Sequence, residues 1–282
     1  MTVAIVTDSG SDLTPEELAA SGVRQVPLTV SFGEQSFLSP DEMTPHQFWE
    51  KMVAPDCPFA LTAAPSVGQF KQAFEQAFAD GHDSVVCICL SSGLSSTVKH
   101  AQMAKEMLGT KQVFLIDSKT AGIGVGALAL HGAEMAKAGA TGMEIFSKLG
   151  LMVQRLDLYC ALDTLEYLRK GGRIGVAKAA IGGLLAIKPI ITMEETVAVI
   201  TDQPRTRSKA TARMIELLTD RPALELHMVY SPPMDIETFK NLVLAEMPGP
   251  APTIVTTHVL GPVIGAHIGP GAYGAVLVRE EY

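Results

Sequence analysis

No stretch of this sequence stays apolar for long. Runs such as AAIGGLLAI (179–187) fall well short of the ~20 residues a membrane-spanning helix requires, so no integral membrane association is expected. Cysteine is scarce, with four in 282 residues, and the spacing fits neither a disulfide framework nor a metal-ligand set. Cys87 and Cys89 lie two apart in a strand-like run, which puts them on one side of it as core thiols, while Cys57 and Cys160 stand alone. Seven histidines are spread without ligand spacing, so no metal and no cofactor is expected. Nothing basic precedes the strand-like start MTVAIVTDSGSD, so no secretory leader is expected and the cytoplasm is the expected compartment.

Positive charge is also short: 22 Lys and Arg face 30 Asp and Glu, a net charge of −8, which argues against a nucleic-acid binder. The deficit is uneven. Residues 169–213 contain Arg169, Lys170, Arg173, Lys178, Lys188, Arg205, Arg207, Lys209 and Arg213 and only three acids, a net +6 against −14 for the remainder. Two catalytic signatures are missing as well. Gly93-x-Ser95 continues to Thr97 where a nucleophile elbow needs glycine, and no G-x-x-x-x-G-K-[ST] phosphate loop occurs.

What is present is a globular composition, with 47% hydrophobic residues and 25 glycines, enough for two α/β units. The first half alternates strand and helix patterns. VAIVTD and SVVCICL read as buried strands, RQVPLTVSF as another, and VFLIDS as a fourth. Helices are announced by Thr14 with Glu17, Thr44 with Gln47, and Ser66 with Gln69, each in capping-box spacing. Phe70, Phe74 and Phe78 mark the buried stripe of the third. A further helix is expected from about Leu94, and a Gly/Ala-rich one from about Gly122. This order predicts a parallel sheet covered on both faces. Beyond about Asp157 the pattern becomes mixed α+β, with a hairpin turning near Glu194 and Glu195. The expectation is a two-lobed α/β protein: an N-terminal, Rossmann-like parallel-sheet domain over 1–155 and a C-terminal mixed α+β domain over 156–282, the chain free to cross between lobes.

Four stretches gather hydroxyls and glycines: TDSGSD (7–12), LTAAPS (61–66), LSSGLSST (90–97) and GPVIGAHIGPG (261–271). In an open parallel sheet, ligands collect beyond the C-terminal strand ends, where the first and third of these fall. TDSGSD reads equally as a capped turn. Ser66 is occupied as an N-cap, whereas Thr62 is free, and Ser95 with Ser96 sits where a helix begins. Hydroxyls at a helix start can cradle a carboxylate or phosphate without a base to activate them. His267 lies in a stretch so glycine-rich that it is expected to be a loop close to a ligand. Two other classes compete: a serine-dependent hydrolase or phosphotransferase using Ser95 with His267, and a sugar- or nucleotide-binding regulator using the same cradle.

IVTDSGSDL, LSSGLSST, LIDSKTAGIGVG, LDTLEYLRKGGRIG, LLAIKPII and GAHIGPGAYG, in this order over nearly the whole length, resemble the DegV family, the fatty-acid-binding subunits of bacterial fatty acid kinase. The resemblance implies a protein that is not itself an enzyme. It would bury one long-chain fatty acid between its lobes and present the carboxylate to a separate ATP-dependent kinase subunit for acyl-phosphate formation. By position it implies that Thr62, Ser95, Ser96 and His267 hold the carboxylate, with no catalytic residue. Arg173 would stand near the head group or the partner. The excess of cations over 169–213 adds the expectation that Arg205 and Arg207 lie on the face the partner meets. This chain has LSST where the family commonly has LSGT, so Ser96 replaces a glycine. AGIGVGALAL (121–130) and AAIGGLLAI suit the walls of a narrow apolar tunnel.

Overall fold

The computed structural model describes residues 2–109, 112–173 and 187–280. Along the chain, β1 (Val3–Asp8) passes through a single 3-10 turn into α1 (Pro15–Ser21); β2 (Arg24–Val26), β3 (Leu28–Phe32) and β4 (Gln35–Ser39) precede α2 (Pro45–Met52). Then come β5 (Ala60–Ala63), α3 (Val67–Ala79), β6 (Ser84–Cys89), α4 (Thr97–Met107), β7 (Gln112–Asp117), α5 (Ile123–Lys137) and α6 (Gly142–Val153). Next are β8 (Leu156–Ala161), α7 (Glu166–Lys170), β9 (Ile190–Glu194), β10 (Val197–Asp202), α8 (Arg207–Leu218) and β11 (Ala223–Tyr230). The last are α9 (Ile236–Glu246), β12 (Ile254–Val259), α10 (Pro262–Ile268) and β13 (Tyr273–Arg279). No helix among the described residues is long and apolar enough to cross a membrane. Nor do these residues include a group of three or more His, Cys, Asp or Glu side chains that could hold a metal ion.

Three sheets result. The first, in the order β2-β1-β6-β7, is wholly parallel. Every residue of β1 and β6 is buried, as expected of parallel strands with helices on both faces. The three capping boxes form as their spacing predicts, at Thr14/Glu17, Thr44/Gln47 and Ser66/Gln69. Cys87 and Cys89 lie in the core of β6 with their sulfurs 3.6 Å apart.

RQVPLTVSF departs from the expected single strand. Pro27 has no N–H to donate to a ladder, and the run breaks there: β2 stays with β1, while β3 joins a separate antiparallel sheet in the order β4-β3-β5. The third sheet, β10-β9-β8-β13-β11-β12, is antiparallel apart from the parallel pair β11 and β12. It includes the hairpin expected at Glu194 and Glu195, with Glu195 at φ 55° in the turn.

The faces of this sheet divide the work. Leu226, Met228, Ala275 and Leu277 point to a core shared with α8 and α9, whereas Cys160, Val229, Val276 and Val278 join the large core that includes Val3, Ile5 and Leu128 of the N-terminal lobe. The two lobes therefore pack on each other through the second face.

Candidate functional site

Between that face and the N-terminal lobe lies a cavity. Its walls come from the β4-β3-β5 sheet, the six-stranded sheet, α10 and the segment that follows β6, including Leu28, Leu90, Leu158, Met193, Val263 and Val276. Among its described lining residues, Thr62, Ser95, Arg173 and His267 carry the hydroxyl, guanidinium and imidazole groups, with no Asp, Glu or Lys.

Each of these four is placed by its own element. Thr62 lies on β5 in register with Val30 of β3. Its Oγ1 shares a 2.8 Å hydrogen bond with His267 Nε2. His267 occupies the last turn of α10, not a loop as its glycines suggested. Gly261 and Pro262 start this short helix and Gly269, at φ +75°, ends it. Gly265 is needed in its interior for another reason: a β-carbon there would lie 2.7 Å from the rings of Phe48 and Trp49, which press α2 against the helix while Trp49 Nε1 donates to Leu260 O at 2.7 Å. Gly265 thus serves close helix packing.

Burial, with the Arg173 charge adding to it, pushes the His267 imidazole down to about 4, so it is neutral at neutral pH. Its Nδ1 is buried without a hydrogen-bond partner among the described residues and faces the backbone of Gly171. Arg173 donates from Nε to Leu94 O at 3.1 Å and from Nη1 to Gly171 O at 2.6 Å. It therefore ties the end of the α7 segment to the turn that bears Ser95.

That turn replaces the first part of the helix expected from Leu94. Leu94 N and Ser95 N both donate to Ser91 O, at 3.0 and 3.1 Å, and α4 starts only at Thr97. Ser95 Oγ lies 2.8 Å from Thr97 Oγ1 and accepts from Thr97 N at 3.3 Å. A serine nucleophile needs a base within hydrogen-bond reach; Ser95 is paired with Thr97 and His267 with Thr62. This pairing leaves the Ser95 hydroxyl without a base within reach.

The remaining sequence candidates lie elsewhere. Ser96 is exposed and lines an outer depression with Ser92, Lys99 and Gln102, which shares Leu94, Ser95 and Arg173 with the cavity. Arg205 is exposed ahead of α8. Arg207 starts that helix and points back into the C-terminal lobe, reaching Asp163 Oδ1 at 3.2 Å, Met234 Sδ at 2.8 Å and Gly271 O at 3.3 Å, over the Tyr273 ring. TDSGSD forms a capped turn, Asp8 accepting from Gly10 N and Leu90 N, both at 2.8 Å. Of the two apolar stretches, Ala121 and Gly122 of the first line the cavity; in the second, 179–186 lie outside the described residues, as does Lys178.

Sequence reasoning missed two features. Asp12, pushed up to about 8 by burial, sits against Gly122 and Gly261, at the starts of α5 and α10. A polar seam, Glu225 with His131 and His227, joins the lobes beside the cavity. Glu225 and His227, two apart in a strand, were the one local signal for it.

The chain matches the family described as "Uncharacterised protein, DegV family" over residues 2–280. A DegV domain-containing protein of Deinococcus radiodurans is 34% identical over 281 residues, 98% of either chain. A solved structure reporting fatty acid binding by a DegV family protein from Thermus thermophilus has a TM-score of 0.91 at 29% identity, covering 99% of this chain and 100% of that one. A fatty-acid (stearic acid)-binding protein from Eubacterium ventriosum has a TM-score of 0.87 at 26% identity over 98% of each chain.

Proposed function

We propose, since the chain belongs to the DegV family, that it is a lipid-binding protein which lays the tail of one long-chain fatty acid along the cavity between its lobes. The carboxylate would be held by Thr62, Ser95 and His267, with Arg173 beside it and Ser96 on the outer shoulder. The observation that supports this reading is the composition of the cavity: apolar walls with hydroxyl, imidazole and guanidinium groups as the polar members. Relatives of the same fold bind fatty acids, stearic acid in one case.

Magnitudes assign the roles. At ~0.8 kcal/mol per buried methylene, fourteen carbons contribute on the order of 11 kcal/mol before ordering costs. A charge-assisted hydrogen bond adds roughly 1.5–3 kcal/mol. The tail sets affinity and the polar groups set which end faces out. A neutral His267 can donate to a carboxylate without first being ionised, and the carboxylate favours its protonation.

In this reading the protein works in the cytoplasm as the substrate-carrying subunit of an ATP-dependent kinase, which docks over the head group and phosphorylates the carboxylate. Arg205 and Arg207 are assigned to the docking side, Arg205 being the exposed one. Organic extraction and mass spectrometry of the purified protein are expected to recover about one long-chain acid per chain, because release is slow when binding is this favourable. Ser95→Ala should weaken fatty acid binding by about 2 kcal/mol. An empty extract together with no thermal shift on adding 14- to 18-carbon acids overturns the assignment.

A further inference from the structure

The walls of the cavity are not equally fixed. Val276 and Leu158 stand on β13 and β8, strands with partners on both sides. Ile191, Met193 and Ala198 stand on the β9–β10 hairpin, whose outer strand is the edge of the sheet. Among the described residues this hairpin pairs with β8 at Tyr159 with Thr192, Cys160 with Ile191 and Ala161 with Ile190, and Leu162 N donates to Pro189 O at 2.8 Å just beyond. Its distal half, from Met193 through the turn to Ala198, overhangs that pairing. The register also slips between Ile200 and Asp202 at its base, and such irregularities bend a ribbon. An isolated two-stranded hairpin is marginally stable at best.

What holds the free end is the other lobe. Ser91 Oγ donates to Thr196 O at 2.7 Å, and Lys119 Nζ lies 3.8 Å from Glu195 Oε2. Gly93 lies directly beneath the tip: a β-carbon there would meet Thr196 O and come within 2.6 Å of Thr196 Oγ1. Gly93 has no positive φ, so its glycine answers to this close approach and not to backbone conformation. The residue that receives the tip is fully buried Ser91, whose carbonyl also accepts the Leu94 and Ser95 N–H groups. The docked tip and the turn presenting the Ser95 hydroxyl are therefore one hydrogen-bonded unit.

We infer that the β9–β10 hairpin is the gate through which the acyl ligand exchanges, latched at Thr196 onto the Ser91–Ser95 turn. The inference rests on the fatty-acid reading above. Undocking the tip lifts Met193 and Ala198 away from the flank of the cavity and frees the same turn that orients the head group, so opening loosens tail and carboxylate together. Gating elements come from the least stable parts of a fold, and this one is anchored at two small ends.

The test uses the full chain, stripped of lipid, with a 16-carbon fatty acid in stopped-flow binding and in transfer to acceptor vesicles. A latch shared by the free and bound states predicts that Gly93→Ala raises the association and dissociation rates together, by about tenfold, with Kd changed less than twofold. Ser91→Ala, which removes a single hydrogen bond, should raise both rates about fivefold. Unchanged rates, or a weaker Kd with an unchanged association rate, would mean the hairpin is merely wall and would overturn the inference. Native-state hydrogen exchange gives a second reading independent of ligand: amides of residues 191–200 should exchange faster in Gly93→Ala while those of β8 and β13 hold. Equal protection in variant and wild type overturns the gate. A wild-type protein that binds no acid, yet shows the exchange difference, overturns the fatty-acid reading and leaves the moving hairpin standing.

Discussion

On β8, β9 and β13, the face of the six-stranded sheet turned toward the N-terminal lobe presents Leu158, Cys160, Ile191 and Val276 to the cavity; on β11 and β12 the same face presents Glu225, His227, Thr256 and His258. His227 is in register with Val276, so the two chemistries meet without a gap. In the polar half His131 crosses from the N-terminal lobe to Glu225, and the other bonds brace that contact within the sheet. His131 of α5 lies 2.6 Å from Glu225 Oε1, His227 lies 3.0 Å from Glu225 Oε2, and both His227 and His258 reach Thr256 Oγ1 at 2.8 Å. In the apolar half the lobes share one core, which includes Val276 and Val278 with Ile5 and Leu128, and the cavity lies within that contact. Directional bonds fix a distance more narrowly than apolar contact does, so the seam is expected to set the spacing of the lobes beside the cavity.

The largest expected effect tests the seam. Burial works to raise the Glu225 carboxyl, but hydrogen bonds from His131 and His227 hold it down at about 2. Its stabilisation is present above pH 4.5 and is lost as pH falls toward 2. His131, raised by its bond to Glu225, contributes below pH 6.5 and loses that contribution as pH rises through its elevated value. Glu225→Ala removes the shared partner of a buried cluster and should cost about 4 kcal/mol in urea unfolding. A cost below about 1 kcal/mol would mean that apolar contact, and not the seam, spaces the lobes.

Next comes the histidine of the cavity, shifted the opposite way because burial, with the Arg173 charge adding to it, lowers it where His131 gains a carboxylate partner. His267 falls from 6.5 to about 4. Lipid-free protein should therefore keep this stabilisation above pH 6.5 and lose about 3 kcal/mol of it as pH drops to 4. Unfolding titrations should show the loss in wild type, a smaller loss with fatty acid bound, and none from this source in His267→Gln.

The two faces of the sheet supply a third contrast. Leu226 is fully buried under α8 and α9, so Leu226→Ala should cost about 3 kcal/mol. Leu158 borders the cavity and has fewer contacts to lose, so Leu158→Ala should cost about 1 kcal/mol without ligand. Equal costs would mean that the cavity side is as tightly packed as the core. The smallest effect is Thr62→Val, about 1 kcal/mol for its bond to His267. That cost should disappear when the change is made in a His267→Gln background, a double-mutant cycle that isolates the pair.

Local features of this fold were legible before the structure. A capping box spans four residues and announces itself, as at Ser66 and Gln69, and the two-residue period of Cys87 and Cys89 shows a shared face. The hydroxyls of Thr62 and Ser95 stood out through their loops. The break at Pro27 was readable in principle, but a nine-residue strand-like run outweighed it. The misplacement of His267 has a physical source: its glycines suggested a loop, yet Gly265 answers to the rings of Phe48 and Trp49, which no local pattern reveals. Arg207 likewise stood among other cations, while its partners Asp163, Met234 and Gly271 come from three distant segments. The seam pairs His131 with Glu225, 94 positions apart.

The position of β13 has a consequence in time. It is the last strand in chain order, yet it lies between β8 and β11 in the middle of its sheet. On a ribosome, β8 emerges and waits for its inner neighbour while everything from α7 to α10 is made, roughly 5–20 seconds at ordinary elongation rates. The parallel sheet, its strands complete by Asp117, can settle during that interval. Val276 is supplied last, so a nascent chain has no finished pocket, and a free fatty acid has nowhere to lodge until translation has passed the central strand.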